Sequence, residues 1–105
     1  MKPLCEHPPH FEWIGDWYPM EIEECHPLVM EAKNSCAEQG INPVIWGGFG
    51  IIGDAIYLSK IGRIPCITFA PGDIDVAHSL DEFVAVNELV SATKVIGSLI
   101  ARWCG

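Results

Sequence analysis

Ile64-Pro65-Cys66-Ile67-Thr68-Phe69-Ala70-Pro71-Gly72-Asp73-Ile74-Asp75-Val76-Ala77-His78-Ser79-Leu80-Asp81-Glu82 is the stretch on which the fold turns. It opens uncharged and apolar, which predicts a buried strand over Cys66 to Phe69, with Pro65 tolerated at the strand start. Pro71-Gly72 turns the chain, and four carboxylates then flank a single imidazole, His78. Beyond it, Val86, Leu89, Ala92, Ile96, Leu99 and Trp103 fall within one helical stripe, which predicts a closing helix of about sixteen residues. A strand, a turn, a polar loop and a helix, in that order, put the loop where α/β proteins keep their chemistry.

Working back toward the N-terminus, the alternation continues. Pro27 suits a first helical turn, Leu28, Val29, Ala32 and Cys36 share one face, and Gly40 is a natural stop, which predicts a helix over about 27 to 39. Pro43-Val44-Ile45-Trp46 reads as a short buried strand running into Gly47-Gly48-Phe49-Gly50-Ile51-Ile52-Gly53. A short helix from about Asp54 to Ile61 then stops at Gly62. The expected fold class is α/β, a partial parallel-type sheet with flanking helices. Two or three strands make a poor sheet with open edges, so completion by further sequence or by another chain is expected.

Residues 1–25 differ in character, holding four of the eight prolines and five of the nine glutamates. They read as a connector or edge element. Phe11 to Ile14 has the composition of a short strand, but Pro8, Pro9 and Pro19 keep it from the centre of a sheet.

A chain of 105 residues, 50% apolar, is sized for one domain. Six basic residues against fourteen acidic give a net charge of −8. With no Lys/Arg cluster, nucleic acid and anionic membranes are not the expected partners. Met1 to Pro9 has no apolar core of the kind a signal peptide carries, so a cytoplasmic location is expected. The five cysteines include no Cys-x-x-Cys pair and read as reduced thiols.

Three groups of residues are candidate sites. Gly48-x-Gly50-x-x-Gly53 matches the dinucleotide fingerprint, with Asp73 twenty residues on. The short helix after it, and Asp54 at that helix start, fit a tight turn with an aspartate cap better than a pyrophosphate. Cys5-x-His7-x-x-His10 with Cys25-His26 offers soft ligands, but at a spacing that matches no compact zinc knuckle. His78 has two readings on local grounds: a loop histidine bonded to backbone, or a metal donor or proton carrier. Asp81 and Glu82 are placed to orient its ring, as carboxylates do for metal-bound histidines.

Taken together, Ile64 to Gly72, Ala77-His78-Ser79-Leu80-Asp81-Glu82-Phe83-Val84, Leu89 and Ala92-Thr93-Lys94-Val95 resemble the C-terminal stretch of a known family. It is the family of acetylornithine deacetylase, succinyl-diaminopimelate desuccinylase, aminoacylase and carboxypeptidase G, the co-catalytic zinc hydrolases. His26-Pro27-Leu28-Val29 is similar to the helix that re-enters that family's catalytic domain after an inserted dimerisation or lid domain. The resemblance implies that residues 26–105 form the C-terminal part of a catalytic domain and residues 1–25 the exit from the lid. It implies that His78 is a ligand of one of two zinc ions, and that Gly53 and Asp54 lie on the substrate side. The reaction implied is hydrolysis of an N-acyl or peptide amide bond by a metal-bridging water that a glutamate activates.

The chain departs from that family in two places. Gly53 stands where a hydroxyl residue is usual. The family's His-x-Asp motif, bridging aspartate, paired glutamates and later acidic ligand have no counterpart; Glu23-Glu24 lies just ahead of a helix, without the strand that should precede it. One histidine does not supply the three or four donors zinc takes. The expectation is therefore a C-terminal fragment, inactive by itself, whose partner is the missing N-terminal half. The rival expectation is a non-catalytic module that pairs with itself or a partner through open sheet edges.

Overall fold

The computed structural model describes residues 7–45 and 53–105. Trp46, the glycine run through Ile52, and Cys5 lie outside them. The elements are α1 (Pro27–Glu38), α2 (Ala55–Lys60), a 3-10 turn (Ile74–Val76) and α3 (Val86–Cys104).

Each helix has a local cause. Pro27 occupies the first turn of α1, and His26 caps it, the imidazole Nδ1 accepting from the Leu28 N–H at 3.1 Å. At the other end Gly40 takes φ +68°, its N–H donates to Ala37 O, and the Ile41 N–H donates back to Cys36 O at 2.9 Å. That is a Schellman ending, and it needs a residue at ease in the left-handed region. The helix of α3 runs 19 residues, three more than expected.

Among the described residues, α1 and α3 are the elements that pack on one another. Their interface buries Ser35, Cys36, Ala92 and Val95, with Val95 only 1% exposed. Small side chains at Ser35 and Ala92 let the helices approach closely. The Ser35 hydroxyl is buried there without a hydrogen-bond partner. A polar clip closes the far side of the pair: Arg102 bonds Glu31 at 3.2 Å and also Glu38, and the Ser98 hydroxyl donates to Glu38 at 2.6 Å. Burial raises the pKa of the Cys36 thiol, so it stays protonated at neutral pH.

The expected α/β sheet is not formed among the described residues. The described residues contain no strand; 43–45 and 64–70 run without regular structure, as do residues 11–14. A strand exists only as one member of a pair, since its backbone groups are satisfied by a neighbour. Residues 65–70 make no backbone hydrogen bond within the described chain. Their apolar pattern marks them for burial, and Cys66, Ile67 and Phe69 are half-buried, but no strand lies beside them among the described residues.

The dimensions carry the same message. The Cα radius of gyration is 18.7 Å and the extents are 61 × 35 × 23 Å, against about 13 Å for a compact chain of this length. The accessible surface is 9153 Å², where a folded monomer of this mass exposes about 5,800 Å². Much of the excess is apolar. On α3, Val86, Leu89, Ile96 and Ile100 share a face at helical spacing and are each at least 43% exposed.

Candidate functional site

The loop between Pro71 and Ala85, where chemistry is expected from the sequence, is held in two ways. Gly72 adopts φ +91°, and its N–H donates to the Glu88 carboxylate at 2.9 Å, tying the Pro-Gly turn to the first turn of α3. The Asp73 carboxylate accepts from the Asp75 N–H at 3.0 Å and starts the 3-10 turn. Past that turn, the Ala77 N–H donates to Ile74 O, and the Ser79 N–H and hydroxyl both donate to Val76 O.

His78 follows in the left-handed region, φ +63°, with an exposed side chain. Its backbone N–H donates to the Glu82 carboxylate at 3.2 Å. The ring itself makes no hydrogen bond to any described residue. Of the two carboxylates expected to orient the imidazole, Glu82 is therefore in contact with His78 through the backbone, and Asp81 is exposed without such a bond.

Gly53 and Asp54 open α2 and are exposed. Asp54 stands at the N-cap position, yet its side chain makes no capping bond, contrary to the expected aspartate cap. The backbone carbonyls of Gly53 and Asp54 accept the first bonds of this turn instead. Gly48 and Gly50 of the dinucleotide pattern lie outside the described residues; the helix that follows Gly53 is six residues long.

The soft-ligand group is dispersed. His7, His10 and Cys25 are exposed, and His26 commits Nδ1 to capping α1 while its ring lies 6.5 Å from that of Trp103. No three His, Cys, Asp or Glu residues among those described could hold one metal ion together.

Two contacts were not foreseen from the sequence. His26 is a helix cap, and Glu88 is the anchor of the Pro-Gly turn. Glu88 carried a faint signal: an acidic residue at the third helical position without a hydroxyl residue at the N-cap (Ala85) has no capping box to complete. Its carboxylate is left to capture a donor from elsewhere.

Between α1, the stretch 66–74 and the start of α3 lies an open trough of about 1790 Å³. Val29, Ala32 and Cys36 wall one side, Ile67, Phe69 and Ile74 another. Small-molecule sites fill roughly 300–1,000 Å³ and enclose their ligand; this trough is larger and open.

With this geometry in view, comparison with known proteins is decisive for the family. Residues 9–102 match peptidase family M20/M25/M40. The chain belongs to that family. This M20 chain is 31% identical, over 117 aligned residues, to the N-formyl-4-amino-5-aminomethyl-2-methylpyrimidine deformylase of Bacillus subtilis, an alignment covering 96% of the chain and 26% of the relative. The deformylase of the same name from Halalkalibacterium halodurans is also 31% identical, over 94% of the M20 chain and 25% of the relative. The acetylornithine deacetylase of Myxococcus xanthus is 44% identical over 52 residues, 50% of the chain and 13% of the relative. The M20 chain thus spans about a quarter of the length of the two deformylases it matches. No solved structure matches it. Among its described residues no helix is long and apolar enough to cross a membrane.

Proposed function

We propose that this chain is one segment of a metal-dependent amide hydrolase that removes an acyl group from nitrogen. In this reading, residues 26–105 are the C-terminal part of its catalytic domain and residues 1–25 the exit from an inserted lid. The family match over residues 9–102 is the observation that carries it. Relatives named a deformylase and a deacetylase favour a small acyl amide as the substrate class, within the wider range of N-acyl amino acids and peptides. His78 contributes one donor to a zinc site whose other donors lie on polypeptide beyond these 105 residues, and Gly53 and Asp54 lie toward the substrate. The partner is the remainder of that catalytic domain, seated on the trough and on the open face of α3, and the setting is cytoplasmic.

The test is complementation. The chain alone, with zinc, should not hydrolyse formyl- or acetyl-amide substrates. Adding the preceding three quarters of the Bacillus subtilis deformylase in trans should restore hydrolysis, and His78→Ala should remove it. Zinc-dependent deacylation by the chain alone, lost in His78→Ala, would overturn the incomplete-site reading.

A second reading has one observation in its favour. The apolar face of Val86, Leu89, Ile96 and Ile100 is exposed, and self-association through it would make a non-catalytic module. Self-pairing was expected through sheet edges; side chains on α3 now supply the surface. A monomer in sedimentation at high concentration argues against this reading.

A further inference from the structure

We infer that Glu82 is a positioning residue: through its carboxylate it holds the His78 backbone in the left-handed conformation, and so fixes where the imidazole projects. The role deepens the proposed donor role of His78 and rests on that reading for its purpose, not for its geometry.

The inference starts from the outlier. A residue with a β-carbon at φ +63° is disfavoured by contact between that carbon and the carbonyl that follows, and persists only where its surroundings over-determine it. Histidine tolerates the region better than a β-branched residue does. On either side of His78 the backbone is bonded back into the 3-10 turn, Ala77 N–H to Ile74 O and Ser79 N–H to Val76 O, each at 3.1 Å. Between these two bonds the His78 N–H donates to no carbonyl among the described residues. Glu82, four residues on, supplies the acceptor at 3.2 Å. A backbone N–H bonds a carboxylate more strongly than a neutral acceptor.

The consequence concerns the ring. A carboxylate bound to the imidazole would orient it directly but occupy one nitrogen. By bonding the backbone instead, Glu82 leaves both ring nitrogens uncommitted while limiting the directions the side chain samples. A partner arriving from outside then meets a histidine that is already ordered, at a smaller entropic cost. Asp81 makes no equivalent bond among the described residues.

The experiment is NMR on the 15N-labelled full chain. Positive φ brings the amide and α protons of one residue close, so His78 should show a strong intraresidue NOE and a protected amide. Glu82→Ala, and Glu82→Asp with its shorter reach, should weaken that NOE and speed His78 amide exchange about tenfold. Glu82→Gln, which keeps an acceptor oxygen, should retain both. Protection of the α3 amides checks in each variant that the helices stay folded. An unchanged NOE and exchange rate in Glu82→Ala and Glu82→Asp overturns the proposal, as does equal loss in Glu82→Gln. If the NOE responds as expected but complementation does not depend on His78, the donor reading fails and the clamp stands; the reverse pattern overturns the clamp alone.

Discussion

The α1–α3 pair and the stretch from Ile64 to Ala85 are both apolar, yet they reach opposite ends. The helices bury Val95 and Cys36 almost completely and clip themselves together through Arg102, Glu31, Glu38 and Ser98. The other stretch leaves Ile64 and Phe83 more than half exposed and residues 65–70 without a backbone bond among the described residues. Composition does not separate them. A helix closes its hydrogen bonds within its own segment, so it needs a neighbour only for its side chains. A strand needs a neighbour for its backbone as well.

The contrast can be broken most directly by amide hydrogen exchange. Amides around Ala92 to Ser98 should be protected by the stability of the helix pair, whereas those of Ile67 to Ala70 should exchange close to the rate of an unfolded peptide. Comparable protection in both would mean that 65–70 finds backbone partners in the chain after all. Addition of the deformylase segment proposed above as the partner should slow the second group selectively.

Substitution within the pair comes next in size. Val95→Asp puts an unpaired carboxylate into the α1–α3 contact and should cost about 3 kcal/mol or more, read as loss of helical signal at lower urea. A small change there would show that the pair is not the seat of stability. His26→Ala should cost about 1 kcal/mol through the lost cap, with His26→Asn restoring most of it; equal melting of all three would deny the imidazole its capping role.

The smallest effect is electrostatic. The Arg102 guanidinium, then the Ser98 hydroxyl, hold the Glu38 carboxyl below the usual carboxylate range. A group whose folded pKa is depressed contributes stability above its unfolded pKa, about 4.3 for glutamate, and loses it as pH falls through the folded value. Glu38→Gln should therefore lower the urea midpoint at pH 7 and converge with the parent chain in strong acid. Parallel pH profiles would remove the clip from the account.

These differences decide how much was legible beforehand. Helix α1 was readable because its signals are local: Pro27, the Leu28 to Cys36 face and Gly40. Helix α3 was readable from its stripe, which named Ala92, buried against α1, but also Leu89 and Ile96, which stay exposed, and missed Val95, the most deeply buried residue of the helix. Periodicity reports that a helix has an apolar side, and in α3 that side is wide enough to serve two neighbours. The His78 loop was readable as a place but not as a geometry. That Glu82 bonds backbone rather than ring, and that Glu88 reaches back sixteen residues to Gly72, depend on how the turn is closed.

By itself, then, the sequence determined the helices, the Pro-Gly turn, the position of His78 before α3 and, through its motifs, the family. All of these rest on contacts between near neighbours or on residue identity. The tertiary structure decided which face of α3 meets α1, that His26 is a cap, that His78 sits left-handed under Glu82, and that the apolar stretch 64–70 forms no strand within the described residues. Those outcomes rest on partners distant in the chain, and a strand whose partner is not beside it has no bond with which to declare itself.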